Sequence, residues 1–107
     1  MTNKIYGLLG LCARSGNLAL GMEAVSSEIK KNKIELIIVA EDTSQKTIDN
    51  IKYLANQKNI EVIIFGNIEE NSKSIGKVNK AIIGIKDKNI AKEIRKIICG
   101  GEAFGKN

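Results

Sequence analysis

The chain has 107 residues, 43% of them hydrophobic, which is enough for one core and too little for two, so a single domain over residues 1–107 is expected and the composition argues against disorder. No apolar run approaches the roughly 20 residues that span a bilayer, and the start lacks a charged segment leading into a signal-peptide core, so no membrane is involved and the setting expected is cytoplasmic. There is no histidine, which removes the usual neutral-pH proton shuttle and the commonest metal ligand. Cys12 and Cys99 are far apart, without C-x-x-C spacing, and read as two buried thiols acting as small apolar residues. Catalytic residues, a metal and a cofactor are accordingly not expected. Seventeen Lys and Arg against twelve Asp and Glu leave +5 and a pI near 9.3, which suits a polyanion. Tyr6, Tyr53, Phe65 and Phe104 are too few and too scattered for a single-strand stacking platform, which favours structured RNA or DNA.

In chain order, Thr2 or Asn3 can cap a first helix in which Ile5, Leu8, Leu9 and Cys12 share a face, and Gly16 ends it after Arg14. Gly7-Leu8-Leu9-Gly10 has the spelling of a nucleotide-clamping loop, but its apolar middle on a helical face points to close helix packing. Asn17 to Leu20 is a short extended piece. The next helix starts at Gly21: Met22, Val25, Ser26 and Ile29 recur at helical spacing, leaving Glu23, Ser27, Lys30 and Lys31 outward until Asn32 closes it. Gly21 allows close approach to a helix start whose first N–H groups lack partners, a place that favours an acceptor-rich ligand such as a nucleic-acid backbone.

Leu36 to Ala40 is an unbroken apolar run, the pattern of an inner strand covered on both faces, and Glu41-Asp42 marks where it emerges. Thr43 or Ser44 can cap a third helix with Ile48, Ile51, Leu54 and Ala55 inward, ended near Asn59. Glu61 to Phe65 is the next strand. Gly66-Asn67 turns into a short helix or loop, Ile68 to Lys77, and Lys80 to Ile85 is another strand. Asp87 precedes a last helix with Ile90, Ala91, Ile94, Ile97 and Ile98 inward, and the tail from Gly100 is glycine-rich and loose. Alternating helices and strands without a repeat give a three-layer α/β/α sandwich around a small, about four-stranded mixed sheet. In such a sheet the Gly21 helix start, the Glu41-Asp42 edge and the Lys73 to Lys77 loop can meet on one rim.

Several candidate chemistries compete there. Asn71 to Val78 imitates a phosphate loop but has Asn for the first glycine and Val where Ser or Thr must hold magnesium, so that reading is rejected. Glu41 and Asp42 are more simply a cap for the following helix than an acidic phosphoacceptor pocket. Lys30, Lys31 and Lys33 suit a solvated helix end, yet with Gly21, Glu23 and the second basic loop they also suit RNA, whose phosphates need cations and whose base edges need acceptors. Glu23 either accepts from guanine or simply complements the helix dipole.

The segments GLLGLCARSG (Gly7 to Gly16), Gly21-x-Glu23, LIIVAED (Leu36 to Asp42), Thr47-Ile48 and Ile75-Gly76-Lys77, in this order, resemble the kink-turn-binding ribosomal proteins of the archaeal 7Ae type, and most closely their bacterial YlxQ/YbxF branch. The resemblance covers nearly the whole chain and implies an α/β/α sandwich that grips a sharply bent RNA with tandem sheared G·A pairs. By it, Glu23 faces a guanine, Ile48 packs a flipped-out base, Lys31, which follows Lys30, meets the RNA backbone, and Ser72 to Lys77, with Lys73, Ser74, Ile75 and Gly76 between them, match the hydrophobic and basic recognition loop. Two positions depart from the pattern: Ala24 replaces a glutamate common in archaeal relatives, and Ser27 stands where a lysine is usual.

The expected function is therefore non-enzymatic RNA binding by a monomer, with a kink-turn or ribosomal RNA, or the ribosome, as partner. A protein-interaction module using the same rim is the alternative reading. An acidic-pocket phosphoacceptor is a third and would need Asp42 to be phosphorylated or to bind magnesium.

Overall fold

The structure, a computed structural model, describes residues 2–100. The elements follow in the order α1 (Thr2–Arg14), β1 (Leu18–Leu20), α2 (Met22–Lys30), β2 (Leu36–Val39), α3 (Gln45–Asn56), β3 (Val62–Ile64), α4 (Ile68–Ser74), β4 (Ile82–Ile85) and α5 (Lys88–Arg95), which loosens into a π-helical turn over Lys96–Gly100. The sheet has the order β1-β4-β2-β3, with β4 antiparallel to both of its neighbours and β2 parallel to β3. It is the mixed four-stranded sheet expected.

Both faces of that sheet are covered. On β2 successive side chains point to opposite faces, so Leu36 and Ile38 enter one core while Ile37 and Val39 enter the other, and all four are fully buried. The first core also takes Ile5, Leu9 and Cys12 from α1 and Ile90, Ala91 and Ile94 from α5. The second takes Val25 and Ile29 from α2 and Ile48, Ile51 and Ala55 from α3. Each fully buried Leu or Ile stabilises the fold by roughly 1.5–3 kcal/mol of apolar transfer, which makes these two layers its main support. Gly84 on β4 lets α2 close on the sheet, since a Cβ there would lie 2.9 Å from Ile34 Cδ1 and 3.1 Å from Val25 Cγ2. Gly10 similarly seats α1 against α4, with a Cβ only 3.1 Å from the Ser74 carbonyl oxygen. In the G-x-x-G stretch Gly10 is thus a packing device, while Gly7 is exposed with open space at its Cβ position.

Helix ends follow local chemistry. At the ends of α2 and α3, Asn32 and Asn59 adopt left-handed φ of 60° and 58°, and α1 turns through Gly16 at φ 75°. Ser44 caps α3 by accepting from the Thr47 N–H, Asn67 caps α4 through the Glu70 N–H, and Asp87 caps α5 through the Ile90 N–H.

Two expectations are corrected. Cys99 is exposed while Cys12 is buried, because Ile97 and Ile98 take the inward positions after Ile94 and leave Cys99 on the outer side. Asp42 does not cap the helix that follows it: its carboxylate accepts from the Ile68 N–H, at the start of α4, at 2.9 Å. The side chains of Thr2 and Asn3, proposed as caps, and the tail over 101–107 lie outside the described residues.

Candidate nucleic-acid interface

Strand direction decides what meets what. Since β1, β2 and β3 run one way and β4 the other, the C-terminal ends of the first three and the start of β4 share one edge of the sheet. That edge is the rim. The Gly21 N–H donates to Ile82 O at 3.0 Å, Ala40 N–H to Ala81 O at 3.0 Å, and Glu41 N–H to Gly66 O at 2.8 Å. With the Asp42 bond to α4, these contacts draw the Gly21 helix start, the Glu41-Asp42 turn and the α4–β4 loop together. The loop itself is clamped by Ser72, buried to 1% exposure, whose hydroxyl accepts from the Lys80 N–H at 2.7 Å.

The start of α2 is distinctive in its capping. Gly21 takes the N-cap position at φ 89°, a conformation that favours glycine, and offers no side-chain acceptor. The first helical bond runs from the Val25 N–H to Gly21 O, which leaves the Met22, Glu23 and Ala24 N–H groups without intrahelical partners. Nothing lies within 4 Å of where a Cβ on Gly21 would sit. The way to those donors is open. Glu23 is exposed in the first turn, and Ser27 is exposed one turn further on the same side.

The α4–β4 loop lies beside it. α4 ends at Gly76, φ 70°, after the Lys77 N–H has reached back to Ser72 O at 2.9 Å. A cleft of about 300 Å³ between the end of α1 and this loop is lined by Leu20, Ile75, Gly76 and Lys77, which puts the loop next to the residue preceding Gly21. A second groove, of about 480 Å³, runs between Ile68, Glu69 and Lys73 of α4 and Lys77, Val78 and Asn79 of the loop. Lys73, Gly76 and Lys77 are exposed there, and Ser74 is half-buried with its hydroxyl donating to Asn71 O.

Not every predicted residue arrives at this surface. Ile75 is only 6% exposed and Ile48 only 8%, so both are core residues beneath the rim and not apolar contacts presented by it. The physical reason is that each anchors its element: Ile48 is the first inward position of α3, and Ile75 plugs the end of α4 into the core formed with α1 and α5. The apolar side chain that the loop does present is Val78, 77% exposed. A lone apolar residue between Lys77 and Asn79, just past a turn glycine, was the signal for it. Lys30 and Lys31 are exposed but sit at the far end of α2, about 13 Å along its axis from Gly21 at 1.5 Å per residue. They do not join Lys73 and Lys77 in one cluster.

Charge at the rim is mixed. Glu23, Glu41, Asp42, Glu69 and Glu70 are exposed on it together with Lys73 and Lys77. Behind them, the Tyr6 hydroxyl donates to Asn71 Oδ1 at 2.7 Å while the Asn71 amide donates to Phe65 O at 2.8 Å. Burial, and then the nearby Glu70 and Glu41 carboxylates, push the Tyr6 phenol above its ordinary pKa. Sequence reading missed this lock, whose members stand 65 residues apart.

The profile of the ribosomal protein L7Ae/L30e/S12e/Gadd45 family matches residues 3–95, a span that takes in the whole rim. The chain belongs to that family. It is 30% identical to the RNA-binding protein YlxQ of Enterococcus faecium over 97 residues, which are 91% of this chain and 93% of that protein. Its fold matches a protein of unknown function from Bacillus halodurans with a TM-score of 0.86 and 28% identity, covering 89% of this chain and 96% of the other. It also matches the 15.5 kD RNA binding protein of Giardia lamblia with a TM-score of 0.74, covering 87% and 82% of the two chains; at 17% identity this likeness speaks for the fold alone. The α/β/α sandwich of this L7Ae-family chain thus agrees with its structural neighbours, and no helix among the described residues is long and apolar enough to cross a membrane.

Proposed function

We propose that this L7Ae-family chain is a non-enzymatic RNA-binding protein that recognises a kink-turn or similarly bent RNA at the rim, through the start of α2 at Gly21 and the loop that follows α4. The observation that carries the reading is the contrast in capping. α3, α4 and α5 each satisfy an N-terminal N–H with their own Ser44, Asn67 or Asp87, while α2 begins with a left-handed glycine and keeps its donors open. A ligand rich in acceptors suits such a start. Similarity to a protein named for RNA binding supports the same ligand class.

In this reading Glu23 accepts from the exocyclic amine of a guanine, since a carboxylate offers no donor to an acceptor edge. Lys73 and Lys77 meet phosphates, and Val78 supplies the apolar contact of the loop. Ile48 and Ile75 hold the two elements in place from below. Ser27, exposed one turn after Glu23, leaves a position open that a lysine would fill.

The test is isothermal titration of wild type, Glu23→Ala and Ser27→Lys against a kink-turn RNA and a straight duplex of equal length. Wild type should prefer the kink-turn. Glu23→Ala should weaken binding and relax the preference. Ser27→Lys should tighten binding, because a hydrogen bond to a charged group is typically worth ~1.5–3 kcal/mol, or roughly tenfold or more in affinity. Equal wild-type affinity for the two RNAs, or no response to either substitution, overturns the reading and favours a protein-interaction module.

A further inference from the structure

The turns at the pole opposite the rim carry an excess of positive charge. There the end of α2 and the α2–β2 turn carry Lys30, Lys31 and Lys33, the α3–β3 turn carries Lys58, and Lys86 follows the end of β4; Glu28, Glu35 and Glu61 stand among them, the last 3.2 Å from Arg95, so that six cations face three carboxylates. The turns are in contact: Lys58 Nζ donates to Asn32 Oδ1 at 3.4 Å, and Lys31 and Lys86 approach the two oxygens of Glu28 at 3.9 and 3.8 Å. One carboxylate therefore serves two lysines. Lys30, Lys33 and Lys58 are exposed and form no ion pair among the described residues.

Dipole compensation does not account for this. A cation suits the last turn of a helix, but the effect fades within that turn, whereas Lys33 lies beyond α2 and Lys86 follows a strand. The pole is also poor in what other anionic partners need. Its apolar residues Ile29, Ile34 and Leu36 are buried at 5% exposure or less, and the apolar surface near it is one exposed ring, Tyr53 in the last turn of α3, which lines an open groove with half-buried Ile60. Membrane-surface binding would call for an apolar face beside the lysines, and a specific protein interface for buried aromatic or aliphatic anchors. A lysine surface with a single ring at its margin fits regularly spaced point charges read without sequence, which is the backbone of a duplex.

We infer that this pole is a second RNA-binding surface, contacting the phosphates of a duplex segment separate from the one held at the rim, so that the protein bridges two parts of one RNA. This rests on RNA being the partner but not on the kink-turn. It assigns the two surfaces different work: the rim discriminates, and the pole adds affinity to any duplex.

The experiment uses the full chain and the triple variant Lys30→Gln/Lys33→Gln/Lys58→Gln, with circular dichroism melting to show that it folds, and titrates both proteins over a salt series with a straight RNA duplex and a kink-turn RNA. Wild type should bind the straight duplex. The variant should bind it more weakly, with a log K against log salt slope shallower by about three, one per lysine removed. Its affinity for the kink-turn RNA should drop by the same factor, leaving the ratio between the two RNAs as in wild type. An unchanged slope overturns the inference while a wild-type preference for the kink-turn would still support the rim. A lost slope without any wild-type preference supports the pole and removes the kink-turn reading. Wild-type binding to anionic phospholipid vesicles, lost in the triple variant, with no duplex binding, overturns the inference in favour of a membrane surface.

Discussion

At the rim the chain's turns are tied to one another by side chains from distant positions: Asp42 to Ile68, Ser72 to Lys80, Tyr6 to Asn71. At the opposite pole the turns reverse through their own backbone at left-handed Asn32, Asn59 and Gly16, with one distant tie, Arg95, which donates to Glu35 O at 2.9 Å and stands 3.2 Å from Glu61, and Lys30, Lys33 and Lys58 extend into solvent. The difference teaches where each kind of property is stored. Shape is fixed at the rim, where three turns must hold one geometry, and an excess of positive charge is carried at the pole, where exposed lysines change the fold's stability by only a few tenths of a kcal/mol each. A substitution at the rim should therefore disturb folding and recognition together, while one at the pole should leave folding alone.

The strongest way to break this comparison is Ile48→Asp. Ile48 stands under the rim at 8% exposure and packs among Ile51 and the second core, so an aspartate there buries a carboxylate without a partner. A loss of about 4 kcal/mol in chemical denaturation is expected, with RNA binding lost only as the fold is lost. Full stability combined with lost binding would instead make Ile48 a ligand contact and the rim a looser surface than described.

A smaller effect should come from Tyr6→Phe. The substitution removes the donor to Asn71 Oδ1, and Asn71 is 1% exposed, so its oxygen is left unsatisfied at a cost of about 1–2 kcal/mol near neutral pH. The pH dependence has a definite sign. Burial and the carboxylates of Glu70 and Glu41 raise the folded-state pKa of Tyr6 above its ordinary value near 10, so the folded chain holds the phenolic proton more tightly than the unfolded chain does. The stability tied to that proton is present below about pH 10 and is lost as pH rises through the folded-state value. The gap between wild type and Tyr6→Phe should thus narrow in alkaline denaturation series, and a constant gap would mean the phenol is not part of the lock.

Much of this architecture could be read from residues alone because it depends on short periods. The run Leu36 to Val39 announces an inner strand, the stripe of Val25 and Ile29 separates the outward Glu23 and Ser27, and Ser44 and Asp87 cap helices only three residues away. What stayed hidden depends on long separations. Asp42 reaches a helix 26 residues on, and Tyr6 meets Asn71 across the fold, which no local pattern encodes. Periodicity placed Ile48 on an inward stripe but could not tell whether the end of that stripe was covered. Lysines adjacent to a candidate helix start in sequence also invited being grouped with it, although a nine-residue helix carries Lys30 and Lys31 to its other end.

The smallest effect should belong to the pole. Lys33→Gln/Lys58→Gln removes two exposed charges that form no ion pair among the described residues, and loses at most the 3.4 Å bond from Lys58 to Asn32. Exposed hydrogen bonds and dipole contacts of this kind are worth a few tenths of a kcal/mol, and relief of repulsion among Lys30, Lys31 and Lys33 acts in the opposite direction. Stability in denaturation should therefore stay within about 0.5 kcal/mol of wild type. Its sensitivity to salt decides the sign: if repulsion dominates, the variant is the more stable protein at low ionic strength and the two converge as salt screens the lysines. A loss comparable to that of Tyr6→Phe would show the pole lysines to be structural and would remove the contrast with the rim.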